Sequence, residues 1–391
     1  MKNADKLLKT VSDFAASLRE QRAERQQRTH LNPADFRDLH KIGFHLAAVP
    51  EAYGGFWQSV SESIRPMSES LRTIATGDPS LALSLSMHPA VLAFWRDSKN
   101  PDPPDAGWEQ QKREIYATVV DDGAWWATVS SEPGSGGDIG KTIATAKRVS
   151  GPKLNYRING DKHFGSGSSI ASYMITPAIP EGEADPAWFF IDFRGIPWDG
   201  STGVLLRSEW DGHGMPATDS HAFAFRNVPA TRFAWPGYWR DLLGGGAGVG
   251  SMLFTAVIVG VVDVAMNYIR QRLQQHGQQA LRSFDRVELV MAEREAWLIV
   301  QAYEGGLQSL EKHGRGPLDA AMAKATVATL AETLLTRLCR LSGGGAYSRS
   351  SPLGYWANDV RALGFLRPPW ALANDGLFDL TWQRAMAPAA K

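Results

Sequence analysis

Residues 125–138 read WWATVSSEPGSGGD, and residues 158–169 read INGDKHFGSGSS. In the first string an apolar run gives way to Thr128, Ser130 and Ser131, then to the turn Pro133, Gly134, Ser135, Gly136, Gly137. A strand that runs into a glycine-rich turn leaves backbone N–H groups unpaired beside small hydroxyls, a surface suited to a large polar cofactor. Taken alone, a Ser/Gly-rich turn is most often only a loop. The second string, by its order and its distance from the first, gives the turn a more specific meaning.

SEPGSGGD resembles the TEPGxGSD turn of the acyl-CoA dehydrogenases, and NGDKHFGSG resembles the NGxKxWITN strand that follows it in that family. VPEAYGGF at 49–56 resembles their VPExYGG, and EWDGHGMPATDSHAFAFRNVPA at 209–230 resembles WGMRATxSxxVxFxxVxVP. The resemblance covers most of the chain and implies an α+β multidomain fold. An N-terminal α-helical domain would span 1–120, a central antiparallel β-barrel-like domain 121–237, and a C-terminal four-helix bundle 238–391. Assembly as a homodimer or homotetramer through the bundle is also implied.

Composition sets independent bounds. A chain of 391 residues can bury a sizeable core and holds two or three subdomains. Lys plus Arg and Asp plus Glu number 41 each, so no global field favours nucleic acid or an anionic membrane. The single cysteine, Cys339, forms no internal disulfide and reads as a small hydrophobe on a helix, which suits a cytoplasmic protein. No apolar leader opens the sequence, and no run of clean apolar residues long enough for a membrane span is expected later. No metal-ligand set is read from the spacing of His, Cys and carboxylates.

In order, the chain starts with a helical stretch over 4–28, with Leu7, Leu8, Val11, Phe14, Ala15 and Leu18 on one face. A second helix takes Asn32 as N-cap and Pro33 at its first position and ends at Gly43; a third opens with Asp78 and Pro79. His88 lies in this apolar third helix, where a histidine is more often a satisfied core residue than a catalytic one. From 120 to 235, short apolar runs such as YMIT and HAFAF are punctuated by Gly, Pro, Asp and Asn, the pattern of an antiparallel β-domain. Asp219, Ser220 and His221 are catalytic by type, yet no GxSxG elbow surrounds them, and a turn is the better reading. Beyond the glycine run LLGGGAGVG the pattern is helical again, with a seam at Ala320, Ala323, Val327, Leu330, Leu334, Leu338 and Leu341.

The resemblance also implies a site. Thr128, Ser130 and Ser131 fall where the family meets the flavin pyrimidine edge, and Phe164 and Ser166 fall on the aromatic residue and threonine of the second strand. Gly136 and Gly137 fall where the CoA portion of a thioester passes, and the helix of His88 approaches the same cavity, which makes His88 a substrate-binding candidate. Arg272, with Arg270 as fallback, resembles the arginine that reaches a neighbouring subunit's cofactor and neutralises pyrophosphate. Gly343, Gly344 and Gly345 resemble the QxxGG turn beside the adenosine half of FAD, with Arg340 in place of the glutamine.

One position departs from the family. Arg367, eight residues after Asp359, stands where the family holds the glutamate that removes the substrate α-proton. A guanidinium stays protonated and has no acceptor, so it cannot be that base. The other familiar base position, on the first bundle helix, reads GVGSMLFTAVIVG without a carboxylate before Asp263. Expectation therefore divides between an atypical dehydrogenase, served by FAD and an electron-transfer flavoprotein, and a reduced-flavin monooxygenase of the same fold, which the SGS after Phe164, the PP after Arg367 and the SH at Ser220 and His221 resemble. In the second case FMN or another reduced flavin would come from a separate flavin reductase, since no nicotinamide fingerprint is present. A third expectation is a dehydrogenase-like binding protein without catalysis. Arg367 would face the flavin cavity and bind an anionic group or polarise an oxygen; the alternative is an arginine paired with Asp359 or with a bundle carboxylate. The substrate would be an acyl-CoA or, with Trp125, Trp126, Trp356 and Trp370 near these segments, an aromatic compound.

Overall fold

The computed structural model describes residues 3–98, 101, 103–151, 154–245, 248–277, 279 and 281–386. Parts of the glycine run (246 and 247) and of the loop HGQQAL (278 and 280) lie outside the described residues.

The first third is helical: α1 (Asn3–Glu20), α2 (Arg22–Arg25), α3 (Pro33–Lys41), α4 (Val60–Ala75), α5 (Pro79–Arg96) and α6 (Ala106–Val120). The caps are those the sequence announces. Asn32 accepts from the Ala34 N–H at 3.0 Å, Asp78 from Leu81 at 2.9 Å, and Gly43 ends α3 in the left-handed region at φ +79°. Asp78 also joins Asp35 on the guanidinium of Arg25, a buried cluster that ties α2, α3 and α5 together.

Seven strands follow: β1 (Trp126–Thr128), β2 (Thr145–Arg148), β3 (Asn155–Gly165), β4 (Tyr173–Pro180), β5 (Ala187–Asp192), β6 (Val204–Ser208) and β7 (His221–Arg232). The pairing β4–β2–β3–β7–β5 returns to β4, so the sheet closes into a barrel. β1 adds to β4 and β6 adds to β7 outside the ring. The expectation of a wholly antiparallel domain needs correction, because β1 and β2 both run parallel to β4. One edge of β4 is shared, its start taken by β1 and its end by β2, while the other edge pairs with β5. Closure pairs both edges of this strand, and side chains on both of its faces are buried, which is why it is apolar along nearly its whole length.

The last third holds α7 (Trp239–Gly245), α8 (Val249–His276), α9 (Ser283–His313), α10 (Pro317–Ser342), α11 (Pro352–Asp359), α12 (Ala362–Phe365) and α13 (Trp370–Met386). The expected seam of α10 is buried at Ala320, Ala323, Val327, Leu334 and Leu338. The expected C-terminal four-helix bundle is not confirmed as such: α8, α9 and α10 are the longest helices, α13 packs on α10, and α4 from the first third packs against α8 and α9. Arg72 of α4 makes a two-pronged ion pair with Asp263 of α8, and Arg65 pairs with Glu304 and Glu311 of α9. Gly260 permits the approach, since a Cβ there would stand 2.2 Å from the Arg72 carbonyl oxygen. By length and composition α8 could cross a membrane, contrary to the expectation that no segment would, but most of its apolar surface is buried against the other helices.

Candidate functional site

The chain after β1 crosses from β4 to β3. Val129 donates its N–H to the Ile175 carbonyl, and Ser131 bridges His163, whose N–H donates to the Ser131 carbonyl at 2.8 Å. Thr128–Ser131 and Phe164–Ser166, well separated in sequence, are thereby set side by side on the barrel. Glu132 fixes the turn that follows. Its buried carboxylate accepts from Ile143 N–H at 2.7 Å, from Ala144 N–H at 3.3 Å and from the Lys162 ammonium at 2.5 Å, and Lys162 also donates to the Pro177 carbonyl. Burial pulls the Lys162 pKa down to about 8 against the opposing pull of Glu132. Sequence reasoning misses this pair, although both residues stand inside the two quoted strings.

Arg367 projects from the bundle side into this turn. Its guanidinium donates to the Gly137 carbonyl at 2.6 Å and to Ser131 Oγ at 2.9 Å. Removal from water lowers its pKa to about 10, opposed by the charge of Asp138, so it remains cationic at neutral pH. Pairing with Asp359 does not occur; that carboxylate is buried, accepts from the Met215 N–H at 2.7 Å, and is pushed up to about 7 by burial. Pro369 packs on the same turn, its Cγ 2.9 Å from where a Cβ of residue 137 would stand.

Of the remaining barrel residues, Phe164 is 56% exposed at φ +60°, its ring centroid 6.0 Å from that of Trp210. A bulky residue in the left-handed region carries backbone strain, and here that strain keeps an aromatic ring exposed. Thr128 and Ser130 share a short hydroxyl contact. Ser166 is turned inward, its Oγ 2.7 Å from Ser220 Oγ, so any cofactor contact there falls to backbone rather than hydroxyl. Gly134 and Gly136 lie at φ +77° and +60°, and a Cβ on either would meet nothing within 4 Å, which leaves the turn open to a ligand.

His88 does not serve the site. Its Nδ1 accepts from the Trp126 N–H at 3.0 Å and its Nε2 donates to the His45 carbonyl at 2.9 Å, so both ring nitrogens are spent in the core. Burial lowers its pKa to about 4, which keeps the ring neutral. His30, Asp219 and His221 converge closely enough to suggest a metal. The hydrogen bonds argue otherwise: the Trp210 N–H donates to His221 Nδ1 at 2.9 Å, which puts the His221 proton on Nε2, the atom a metal would need. Asp219 is buried and accepts from His30, from the Leu31 N–H and from Ser169, which makes the trio a tie between the N-terminal segment and the barrel.

A second group lies at one end of the bundle. Arg272 donates to the Ser342 carbonyl at 3.5 Å, and the half-exposed Arg340 stands 3.7 Å from Glu288. A Cβ on Gly343, Gly344 or Gly345 would meet nothing within 4 Å, so this turn too is open. Arg270 is engaged with Glu293 at 2.5 and 2.8 Å and is not a substitute for Arg272. Cys339 is half-buried nearby on α10.

No family model matches the chain. Among solved structures, butyryl-CoA dehydrogenase from Megasphaera elsdenii superposes with a TM-score of 0.81 at 17% identity, covering 98% of each chain. The chain has the acyl-CoA dehydrogenase fold. FMN-bound TdsC from Paenibacillus sp. A11-2, a dibenzothiophene monooxygenase, superposes with a TM-score of 0.79 at 20% identity over 98% of this chain and 99% of its own. In sequence, amino sugar nitrososynthase DnmZ from Streptomyces peucetius is 26% identical over 388 residues, 93% of this chain and 89% of the relative.

Within the acyl-CoA dehydrogenase fold, the residues of the first group suit a flavin: a flat exposed aromatic, small hydroxyls on the neighbouring strand segment, and an open glycine turn. The segment that meets the turn from the bundle side brings a cation, Arg367, and no carboxylate to Ser131 and Gly137. Lys324 of α10, absent from the residues that motif reasoning selects, holds the segment bearing that cation through the Leu366 and Pro368 carbonyls. Its signal is a lone charge three residues before Val327 and four after Ala320, on the buried face of the seam.

Proposed function

We propose that this protein is a reduced-flavin-dependent monooxygenase that takes reduced FMN from a separate flavin reductase and acts on a small molecule without a CoA group. The observation that carries the reading is the segment 366–369, which sets Arg367 on Ser131 and Gly137 and Pro369 against Gly137. Dehydrogenation of a thioester requires a base opposite the flavin, and a guanidinium cannot take a proton. The same segment packs on Gly137, where the family resemblance would run the CoA, and this supports a substrate without one. Similarity to a nitrososynthase in sequence and to an FMN-bound monooxygenase in structure supports the same direction.

Reduced flavin, when bound, supplies two electrons and the centre at which dioxygen is activated. Thr128, Ser130 and the backbone through Ser131 would orient its pyrimidine edge, and Phe164, beside Trp210, would lie along the ring. Arg367 has five N–H donors and spends two on Ser131 and Gly137. The rest would meet negative charge that develops on oxygen or on the substrate, held fixed by those two bonds so that little reorganisation is needed. Arg272, Arg340, Gly343 and Gly344 would serve the phosphate end of a flavin bound with a second copy of the chain.

The test is an anaerobic titration with reduced FMN and with FAD, followed by a pulse of oxygen and, separately, by a panel of acyl-CoA thioesters. Tight binding of reduced FMN, oxygen uptake and no bleaching of oxidised flavin by any thioester are expected. Bleaching by a thioester would replace this reading with an atypical FAD dehydrogenase coupled to an electron-transfer flavoprotein, which the likeness to butyryl-CoA dehydrogenase favours. Failure to bind flavin in either state would leave a non-catalytic binding protein.

A further inference from the structure

Lys324 is 4% exposed, and its ammonium donates to the Leu366 carbonyl at 2.7 Å and to the Pro368 carbonyl at 2.5 Å. These two carbonyls flank residue 367. A methionine would fill the same space without the cost of dehydrating an amine, but it would leave both carbonyls unheld. Burial alone, without a compensating carboxylate, pulls the Lys324 pKa to about 7. A side chain in so unfavourable a setting is best explained by the geometry that it imposes on its neighbours.

We infer that Lys324 is the positioning residue for Arg367: it clamps the backbone on both sides of residue 367 and so delivers the guanidinium to Ser131 and Gly137. The clamp runs from a long helix of the bundle to a short connector between α12 and α13 in which, among the described residues, Arg367 and Pro368 make no backbone–backbone hydrogen bond, and the first such bond is Pro369 accepting from the Ala373 N–H at 2.8 Å. Loss of the clamp frees that connector, and Arg367 then samples orientations away from the barrel. The consequence for turnover rests on the function proposed above; the consequence for the location of Arg367 does not.

The experiment uses the full chain with Lys324→Met, Lys324→Gln and Lys324→Arg, each checked for an unchanged circular dichroism spectrum. Phenylglyoxal modification of Arg367 is followed by peptide mass spectrometry against the exposed Arg349 as internal reference. In Lys324→Met the Arg367 rate should rise about tenfold as local opening becomes easier, and Lys324→Arg, which keeps donors, should bring it back to within about threefold of wild type. If Lys324→Met does not fold, the order wild type, Arg, Gln in labelling rate carries the same test. Under reduced FMN, oxygen uptake by Lys324→Met should show a kcat about tenfold lower at an unchanged half-saturating flavin concentration, the signature of a misplaced group rather than of weakened binding. Unchanged labelling in a folded Lys324→Met or Lys324→Gln overturns the clamp. Faster labelling together with no reduced-FMN oxidation by wild type leaves the clamp standing and removes the monooxygenase reading instead.

Discussion

The barrel wall and the bundle wall that meet at the Arg367–Ser131 contact are each pinned by a buried lysine, in opposite electrostatic settings. Lys162 meets the carboxylate of Glu132 and one carbonyl, whereas Lys324 meets two carbonyls and no carboxylate. Burial depresses both, to about 8 and about 7. The pairing on the barrel side holds a turn through a carboxylate that also caps two backbone N–H groups, so its loss strands several polar groups at once. The bundle side depends on an amine alone, which makes it the softer wall and places Arg367 on it. The two walls meet where Arg367, carried by the softer one, donates to Gly137 and Ser131 of the other.

The largest effect is expected from the barrel wall. Glu132→Ala leaves Lys162 buried and unpaired and should destabilise the protein by about 3–5 kcal/mol in urea denaturation; a loss below about 1 kcal/mol would show that water reaches the pair. Next, His88→Ala removes the acceptor of the Trp126 N–H and the donor to the His45 carbonyl, and should cost about 2–4 kcal/mol while leaving flavin affinity intact. A change in flavin affinity without loss of stability would return His88 to the site.

The bundle wall is sharpened by pH. Because Lys324 has a pKa of about 7 when folded and 10.5 as its ordinary value, the unfolded chain binds more protons across that window, and stability attributable to this group rises as pH rises through it. Wild type should therefore gain up to about 1.4 kcal/mol per pH unit above pH 7 relative to Lys324→Met, measured from urea midpoints. Parallel curves for the two proteins would mean that Lys324 is solvated. The smallest expected effect concerns Arg367→Glu, which places a carboxylate beside Ser131 and Gly137. With Pro369 still against Gly137, no acyl-CoA should bleach the flavin of this variant in visible spectra, and bleaching would show that the CoA path is open.

Much of this site is legible in the sequence. The strings around Glu132 and Lys162 carry the turn and the strand, and a gapless count from Asp359 reaches Arg367, which faces Ser131. Other features have no local signature. β1 and β2 share one edge of β4, and a strand's partners depend on distant segments rather than on its own alternation, so the parallel pairings are invisible. His88 attracts a substrate role because its helix is expected near the cavity; its two hydrogen-bond partners, His45 and Trp126, lie 43 and 38 residues away and cannot be inferred from spacing. Lys324 is legible in principle, since a charge on the apolar stripe of a seam is a contradiction that calls for a partner. The C-terminal bundle reads as self-sufficient because nothing in residues 60–75 marks their partner as lying in the last third of the chain.

That last arrangement has a consequence for biosynthesis. α1 and α5 cover part of α4 early, but its side toward α8, where Ala75 and the Arg72 backbone meet Gly260, finds its cover only when residues 249–276 have been made. A ribosome adding about 5–20 residues per second leaves this side of the helix waiting for on the order of ten seconds or more. Newly made chains should therefore recruit holding chaperones before the barrel is finished, and a stop codon anywhere upstream of α8 should yield aggregates instead of a smaller soluble domain.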